Sequence, residues 1–112
     1  MPRRILVVDD DPAMRALVAR HVRRRAPDAT VLEAASAEEA LLLLEGSGGD
    51  GLTVVADLHL GAGMDGGRLL AVVHERHPHA RRVLLTGAPG AQADADAIVE
   101  KGVRFPGLLD AL

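Results

Sequence analysis

The chain has 112 residues, of which 48% are hydrophobic and 26% charged, proportions typical of one soluble globular domain with a single core. Its net charge of −3 gives no general attraction to nucleic acid, and Phe105 is its only aromatic residue, which argues against stacking on bases. It has no cysteine, which excludes disulfides, thiolate metal sites and cysteine nucleophiles. No signal peptide or membrane span is evident, and we expect one cytoplasmic domain over residues 1–112.

The first predicted pair of elements is a buried strand followed by an amphipathic helix. Residues 5–8 form a continuous apolar run, which is typical of a strand covered on both faces. Asp11 followed by Pro12 predicts a helix N-cap and first helical position. The helix ends at three cations, Arg23 to Arg25, ahead of Pro27, and we interpret them as a solvated helix end. Its expected inward face consists of Met14, Leu17, Val18, His21 and Val22.

A second strand and helix repeat this pattern. Residues 30–33 predict a short strand, and Ser36 with Glu39 predicts a capping box for the helix after it. The apolar residues expected to face inward from this helix are Ala37, Ala40, Leu41 and Leu44. A glycine-rich turn at 46–51 follows, and it is too short to be a linker between domains.

The third predicted strand covers residues 52–57, a β-branched apolar run that ends on the carboxylate of Asp57. A flexible glycine-rich loop at 61–67 comes next. The helix after it is expected to end near Pro78 and to bury Leu69, Leu70, Val72 and Val73. Three histidines lie near that helix end, where cationic groups are usual, so we do not interpret them as a metal site; they are His74, His77 and His79.

The last third of the chain predicts two strands and a final helix. Residues 82–85 form a fourth strand, residues 88–96 give only a weak helical signal, and residues 97–99 form a short fifth strand. Apolar residues at helical spacing then predict an amphipathic helix that runs to the last position. They are Phe105, Leu108, Leu109 and Leu112.

Five apolar strands that alternate with helical segments predict an α/β fold, with a parallel sheet covered on both faces. In such sheets, ligands bind beside the carboxyl ends of the strands. The side chains found just past four of those ends are Asp9, Asp10, Asp57, Thr86 and Lys101. Because each of these groups is useful in phosphate chemistry, we expect them to form one site.

The expected site has the composition of a phosphoryl acceptor. Three carboxylates at one edge repel one another unless a cation neutralises them, and Mg²⁺ suits because it keeps coordination positions for water and phosphate oxygens. Asp57 can then act as the nucleophile on an activated phosphorus and form an aspartyl phosphate. The Thr86 hydroxyl and the Lys101 ammonium would stabilise charge on the phosphoryl oxygens.

At these positions the chain resembles the receiver domain of two-component response regulators. The stretches that carry the resemblance are 5–12 (ILVVDDDP), 54–60 (VVADLHL) with 64–66 (MDG), 83–87 (VLLTG), and Lys101 with 105–112 (FPGLLDAL). They span essentially the whole chain. Each motif alone is weak, and their order along the chain makes the set specific.

The resemblance implies a doubly wound, flavodoxin-like sheet with strand order 2-1-3-4-5 and helices on both faces. It implies that Asp57 accepts a phosphoryl group from a sensor histidine kinase or a histidine phosphotransfer protein. The domain would then be a signalling switch for an output domain or protein, at most transferring and hydrolysing its own phosphoryl group, and not an enzyme with other substrates. No contact with nucleic acid or membrane is implied, and a homodimer is left open.

The metal ligands of the family also map onto this chain. By resemblance, Asp10 and Asp57 bind Mg²⁺ directly, Asp9 binds it through water, and the backbone carbonyl of His59 supplies a further ligand. These assignments make Mg²⁺ the expected cofactor.

The residues that contact the phosphoryl group in the family also have counterparts in this chain, although neighbouring positions differ from the family pattern. Thr86 would contact the phosphoryl group and move with it, Lys101 would pair with it, and Gly87 would leave room for it. Thr86 and Lys101 are 15 positions apart, fewer than is usual in the family. We therefore expect the helix between the fourth and fifth strands to be short or absent. Ile98 stands where the family usually carries an aromatic residue, and Gly102 where it usually carries proline.

Two other functions fit parts of the pattern. A small phosphatase of the haloacid dehalogenase type would use Asp9 and Asp11 after a strand, with Thr86 and Lys101 as its hydroxyl and lysine. Against it, no later pair of aspartates follows a strand, and the chain has no room for a substrate cap. The second alternative is a pseudo-receiver that binds a partner without phosphate, through the altered region ahead of Lys101.

Overall fold

The computed structural model describes residues 3–46, 49–87, 90, 93–101 and 107–112, and at 109–110 only the backbone. In chain order the elements are β1 (Arg4–Val8), α1 (Pro12–Arg25), β2 (Thr30–Ala34), α2 (Ala37–Leu44), β3 (Leu52–Asp57), α3 (Gly66–Arg76), β4 (Arg81–Thr86), β5 (Ala97–Glu100) and α4 (Leu108–Ala111). Phe105 and Gly102 lie outside the described residues, as does part of the segment with the weak helical signal. No helix in the described part is long and apolar enough to cross a membrane.

The five strands form one parallel sheet in the order β2-β1-β3-β4-β5. This is the predicted doubly wound, flavodoxin-like topology, and the prediction is confirmed. The register aligns the carboxyl ends: Val8 pairs with Ala34 on one side and Ala56 on the other, and Thr86 pairs with Glu100. Side chains that follow these ends therefore emerge at one edge of the sheet.

Alternate residues of the strands face two separate apolar clusters, one on each side of the sheet. Leu6 and Val8 face α2 and α3, whereas Ile5 and Val7 face α1 and α4. Every residue of β3 is buried, because β3 is the central strand and helices cover both of its faces.

The predicted inward face of α1 is only partly correct. The buried stripe is Val18, Ala19 and Val22, and it turns Leu17 outward, so that 43% of Leu17 is exposed. His21 is half-buried. The four predicted inward residues of α3 (Leu69, Leu70, Val72 and Val73) are all buried, as predicted.

Side-chain caps set where the helices begin. The Asp11 carboxylate accepts from the backbone N–H groups of Ala13 and Met14, and the Ser36 hydroxyl accepts from Glu39 N–H, as predicted. Asp65 caps α3 by accepting from Arg68 N–H at 2.8 Å. The helix consequently starts at Gly66, inside the stretch predicted as a loop.

The connection between β4 and β5 has no helix at the residues that the structure describes, in agreement with the expected short or absent helix. A buried arginine holds this connection instead. The Arg82 guanidinium, 6% exposed, donates to the Asp94 carbonyl at 2.6 Å and lies 3.6 Å from the Asp96 carboxylate. Ala93 and Ala95 pack against the adjacent core. Buried polar contacts thus take the place of an amphipathic helix.

Candidate functional site

The site is centred on Asp57, the last residue of the central strand. Its side chain is 10% exposed and both of its oxygens have partners. Oδ1 accepts from the backbone N–H of His59 at 3.2 Å, and Oδ2 accepts from the Lys101 ammonium at 2.6 Å. The Asp57 side chain is thus paired directly with a lysine 44 positions away in the sequence.

The acidic pair after β1 supplies two more carboxylates. Asp10 is exposed, whereas Asp9 is only 2% exposed. Asp9 Oδ1 accepts from Asp11 N–H at 3.0 Å, but its buried Oδ2 has no hydrogen-bond partner among the residues that the structure describes. The nearest cation is the Lys101 ammonium, 3.9 Å from that oxygen.

Burial raises the pKa of Asp9, and the nearby charges of Asp57 and Asp10 raise it further. The Asp11 N–H and the Lys101 ammonium act in the opposite direction without cancelling the effect. A buried carboxylate oxygen without a partner is costly unless a cation or a proton satisfies it. A cation bound beside Asp9 would therefore stabilise its ionised side chain.

The three carboxylates fit a divalent ion. One oxygen from each of Asp9, Asp10 and Asp57 lies within 4.8 Å of the others, the only such cluster of acids or histidines among the described residues. An all-oxygen donor set of this kind, with open water on the Asp10 side, suits Mg²⁺. The side chain of His59 is exposed, and its carbonyl as a fourth ligand stays a prediction.

Thr86 and Lys101 come from the carboxyl ends of β4 and β5. Thr86 is the last residue of β4 and is 1% exposed. Its backbone carbonyl accepts from the Lys101 backbone N–H at 2.6 Å, so the parallel pairing of β4 with β5 continues one residue past Glu100. This pairing directs the Lys101 side chain to Asp57. The five side chains found by sequence reasoning are therefore all at the same edge of the sheet.

Two further residues support the site: Arg15, which was not singled out from the sequence, and Gly66, which was named only as part of the 64–66 motif. The Arg15 guanidinium donates to the Asp9 carbonyl at 3.0 Å and lies 3.5 Å from the Glu33 carboxylate, which ties the end of β1 to β2. Gly66 passes so close to Asp57 that a Cβ on it would lie 1.9 Å from the Asp57 carbonyl oxygen. The sequence signal for the close approach of Gly66 is the presence of a glycine directly after the helix cap Asp65, where a helix begins.

Gly87 and the three histidines near the end of α3 were also considered in the sequence analysis. A Cβ placed on Gly87 would have no described atom within 4 Å, and the role of Gly87 in leaving room for a phosphoryl group stays a prediction. The histidines near the end of α3 belong to no cluster of three or more acids or histidines in the described part of the chain.

A family model for the response regulator receiver domain matches residues 5–111. The chain belongs to the response regulator receiver domain family. This assignment confirms the resemblance inferred from the ordered motifs, and it leaves the haloacid dehalogenase alternative without support. A comparison with curated proteins finds none that matches the chain.

Solved structures of receiver domains superpose closely on this one. The Thermotoga maritima response regulator TrrA, crystallised with Mg²⁺ and BeF, is 27% identical with a TM-score of 0.81 over 96% of this chain and 94% of that one. A Burkholderia pseudomallei response regulator with a phosphorylated aspartic acid and a calcium ion is 29% identical, with a TM-score of 0.79. The match covers 98% of this receiver domain and 66% of that protein.

A third structure contains a partner. TrrA is also known in complex with the Thermotoga maritima histidine kinase ThkA. This TrrA chain is 26% identical to the present receiver domain, with a TM-score of 0.79, over 96% of this chain and 93% of that one. Receiver domains of the same fold and similar sequence are thus known with a metal, with a phosphorylated aspartate and with a kinase.

Proposed function

We propose that this receiver domain is a cytoplasmic signalling switch that accepts a phosphoryl group on Asp57 in the presence of Mg²⁺. The observation that carries the proposal is the arrangement around Asp57: two further carboxylates within 4.8 Å and the Lys101 ammonium at 2.6 Å. The carboxylates could hold a divalent cation and Lys101 supplies a further positive charge, and phosphoryl transfer needs such positive charge because the incoming group carries several negatively charged oxygens.

The donor we propose is the phosphohistidine of a sensor histidine kinase or of a histidine phosphotransfer protein. An Asp57 carboxylate oxygen forms the new P–O bond, the P–N bond of the phosphohistidine breaks, and the imidazole leaves with the electron pair of that bond. The known complex of TrrA with a histidine kinase supports a donor of this class. The product is an aspartyl phosphate, and the domain acts on no other substrate.

Each residue of the site has a separate role in this proposal. Asp10, Asp57 and the carbonyl of His59 would hold the Mg²⁺ directly and Asp9 would hold it through water, and the ion would neutralise charge on the phosphoryl oxygens. Lys101 moves from the Asp57 oxygen to a phosphoryl oxygen once the new bond forms. The Thr86 hydroxyl is a second group that can donate to the phosphoryl oxygens.

Lys101 also links phosphorylation to the switch. Because Lys101 pairs with the phosphoryl group after transfer, we expect Lys101→Ala to weaken the conformational response more than phosphorylation itself. The phosphorylated fraction is measured by intact mass, and the response by amide chemical shifts around β5. Equal loss of both would count against this role. The output domain or protein that senses the change is a separate partner.

The test is Mg²⁺-dependent phosphorylation by a small-molecule donor. Purified protein is incubated with acetyl phosphate, with and without Mg²⁺, and its intact mass is measured. We expect one added phosphoryl group only when Mg²⁺ is present, and none in Asp57→Asn. No added group under any condition would instead favour a pseudo-receiver that binds its partner without phosphate.

A further inference from the structure

The outer face of α2 exposes apolar side chains framed by acids. Leu42 is 66% exposed and Leu43 is 43% exposed, and Leu42 is the most exposed large hydrophobic residue in the part of the chain that the structure describes. Glu38 and Glu45 are also exposed and form no ion pair with any described residue. These four residues are called the α2 ridge below.

The outer face of α1 carries the opposite charge around a depression. A pocket of about 240 Å³ is lined, among the described residues, by Leu17, Arg20, His21 and Arg24. Leu17 is 43% exposed, and neither Arg20 nor Arg24 forms an ion pair within the described part of the chain. These four residues are called the α1 pocket below.

The two surfaces carry opposite charges, and each exposes leucine side chains. In the α2 ridge, Glu38 and Leu42 are one helical turn apart, and Glu45 is the C-cap residue three positions after Leu42, so acidic residues flank this leucine on both sides along the chain. The pocket volume exceeds that of the four-carbon side chain of a leucine, and two guanidinium groups border it. The α1 pocket is thus large enough to accept the exposed side chain of Leu42, and its arginines could pair with the acidic residues that flank this leucine.

The two surfaces cannot meet within one molecule. The buried residues of α1 pack on one side of the sheet and those of α2 on the other, so the α1 pocket and the α2 ridge lie on opposite sides of the domain. A contact between them must join two copies. It must also be heterologous, because each copy contributes a different surface.

We propose that the receiver domain associates head to tail, with the α2 ridge of one copy docked in the α1 pocket of the next. Leu42 enters the pocket beside Leu17, and Glu38 and Glu45 face Arg20 and Arg24. Each copy still offers one unused ridge or pocket after the contact forms, so association continues beyond the dimer. It does not require phosphorylation of Asp57.

The contact is small and its charged groups are exposed, so association is weak and depends on salt. We expect the weight-average mass in sedimentation equilibrium to rise above the 11.7 kDa of one chain as the concentration rises from about 20 µM to about 1 mM. Raising NaCl to about 0.5 M lowers the mass towards that of the monomer, because the Debye length shortens.

A charge-matched pair of variants tests the surface. Glu45→Lys reverses a charge in the α2 ridge, and Glu75→Lys makes the same change at an exposed position of α3. We expect Glu45→Lys to reduce the mass at about 1 mM to that of the monomer. Glu75→Lys should leave the association unchanged. Equal effects of both variants would show a nonspecific dependence on net charge and overturn the proposal.

A mixing experiment tests the head-to-tail geometry. The ridge variant Leu42→Ser/Leu43→Ser keeps an intact pocket, and the pocket variant Arg20→Glu/Arg24→Glu keeps an intact ridge. Each should be monomeric alone, and an equimolar mixture should form a dimer that grows no further. All substitutions are at exposed positions, and thermal unfolding checks that both variants fold. A wild-type chain that is monomeric at every concentration would overturn the proposal, as would a mixture with no dimer.

Discussion

Lys101 Nζ donates to Asp57 Oδ2 at 2.6 Å and lies 3.9 Å from Asp9 Oδ2. One ammonium thus partly neutralises two of the three carboxylates that we propose as metal ligands. Because it lies close to both Asp9 and Asp57, its positive charge competes electrostatically with a divalent ion for these carboxylates. The contact also shows how the register between β4 and β5 brings a residue from the end of β5 to the end of β3.

Removal of the Lys101 charge should strengthen metal binding. In Lys101→Ala the three carboxylates lose their nearest cation, and we expect Mg²⁺ to bind about fivefold more tightly, a gain of about 1 kcal/mol. Isothermal titration calorimetry with Mg²⁺ measures the affinity. Lys101→Arg keeps the charge and serves as the control. Weaker binding in the alanine variant would mean that Lys101 supports the metal site instead of competing with it.

The close approach of Gly66 to Asp57 predicts a sharp difference between two neighbouring glycines. A Cβ at Gly66 would lie 1.9 Å from the Asp57 carbonyl oxygen, whereas one at Gly67 would have its nearest described neighbour at 3.5 Å. Gly66→Ala should therefore lower the free energy of unfolding by about 3 kcal/mol and distort the site. Gly67→Ala should raise it by about 0.5 kcal/mol, because alanine favours the helix. Urea denaturation of both variants is the measurement, and equal effects would contradict the geometry.

Because Asp9 has a buried oxygen close to other carboxylates, we expect this site to lower the free energy of unfolding of the metal-free protein. Without a metal, Asp9→Asn removes a buried charge that other carboxylates repel, and its side chain can still accept from Asp11 N–H. We expect metal-free Asp9→Asn to be more stable than the wild type by about 1–2 kcal/mol. Mg²⁺ should stabilise the wild type more than this variant.

The control for Asp9→Asn is Asp28→Asn, which changes an exposed aspartate in the turn after α1. This substitution should alter neither stability nor the effect of Mg²⁺. Thermal unfolding with EDTA and with Mg²⁺ compares the three proteins. A metal-free Asp9→Asn that is less stable than the wild type would contradict a strained acidic site.

Arg82 should contribute strongly to stability although it is a charged residue. Its guanidinium is buried and donates to the Asp94 carbonyl, so Arg82→Ala leaves a cavity and removes the contacts that hold the connection to β5. We expect a loss of about 3 kcal/mol in the free energy of unfolding, measured by urea denaturation. The exposed Arg76→Ala, at the end of α3, should change it by less than about 0.5 kcal/mol. A small effect of Arg82→Ala would mean that the connection is held by other contacts.

The elements whose boundaries were predicted correctly are those with strong local signals. β3 was predicted at residues 52–57 and lies there, because a β-branched apolar run in a central strand is bounded by a glycine turn and a carboxylate. The caps at Asp11 and Ser36 were also predicted, because short polar side chains ahead of apolar periodicity satisfy free N–H groups. The fifth strand extends one residue beyond the prediction, to Glu100, because Glu100 pairs with Thr86.

The features that were missed depend on tertiary contacts. Two glycines open α3 against their helix propensity, because Asp65 caps the helix and Gly66 must pass beside Asp57. The burial of Arg82 could not be predicted, because its acceptors lie in a connection without regular structure. Leu17 fits the apolar period of α1, but the period alone does not decide which edge of the stripe meets the sheet.

The positions of the site residues followed from topology more than from any single motif. Once the strands were known to be parallel, the side chains past their carboxyl ends had to share one edge. The distances among Asp9, Asp10 and Asp57, and the contact from Lys101, required the register between strands. The supporting contact from Arg15 to the Asp9 carbonyl has no signature in the sequence, because a backbone acceptor is common to all residues.

The most direct test of the central claim identifies the phosphorylated residue. The protein is treated with acetyl phosphate and Mg²⁺, the acyl phosphate is reduced with borohydride, and the reduced residue is located by peptide mass spectrometry. Borohydride converts a phosphorylated aspartate to homoserine, and we predict homoserine at position 57 alone, with none when Mg²⁺ is omitted. Homoserine at position 9, or at no position in a protein that remains folded and binds Mg²⁺, would contradict the assignment of Asp57 as the phosphoryl acceptor.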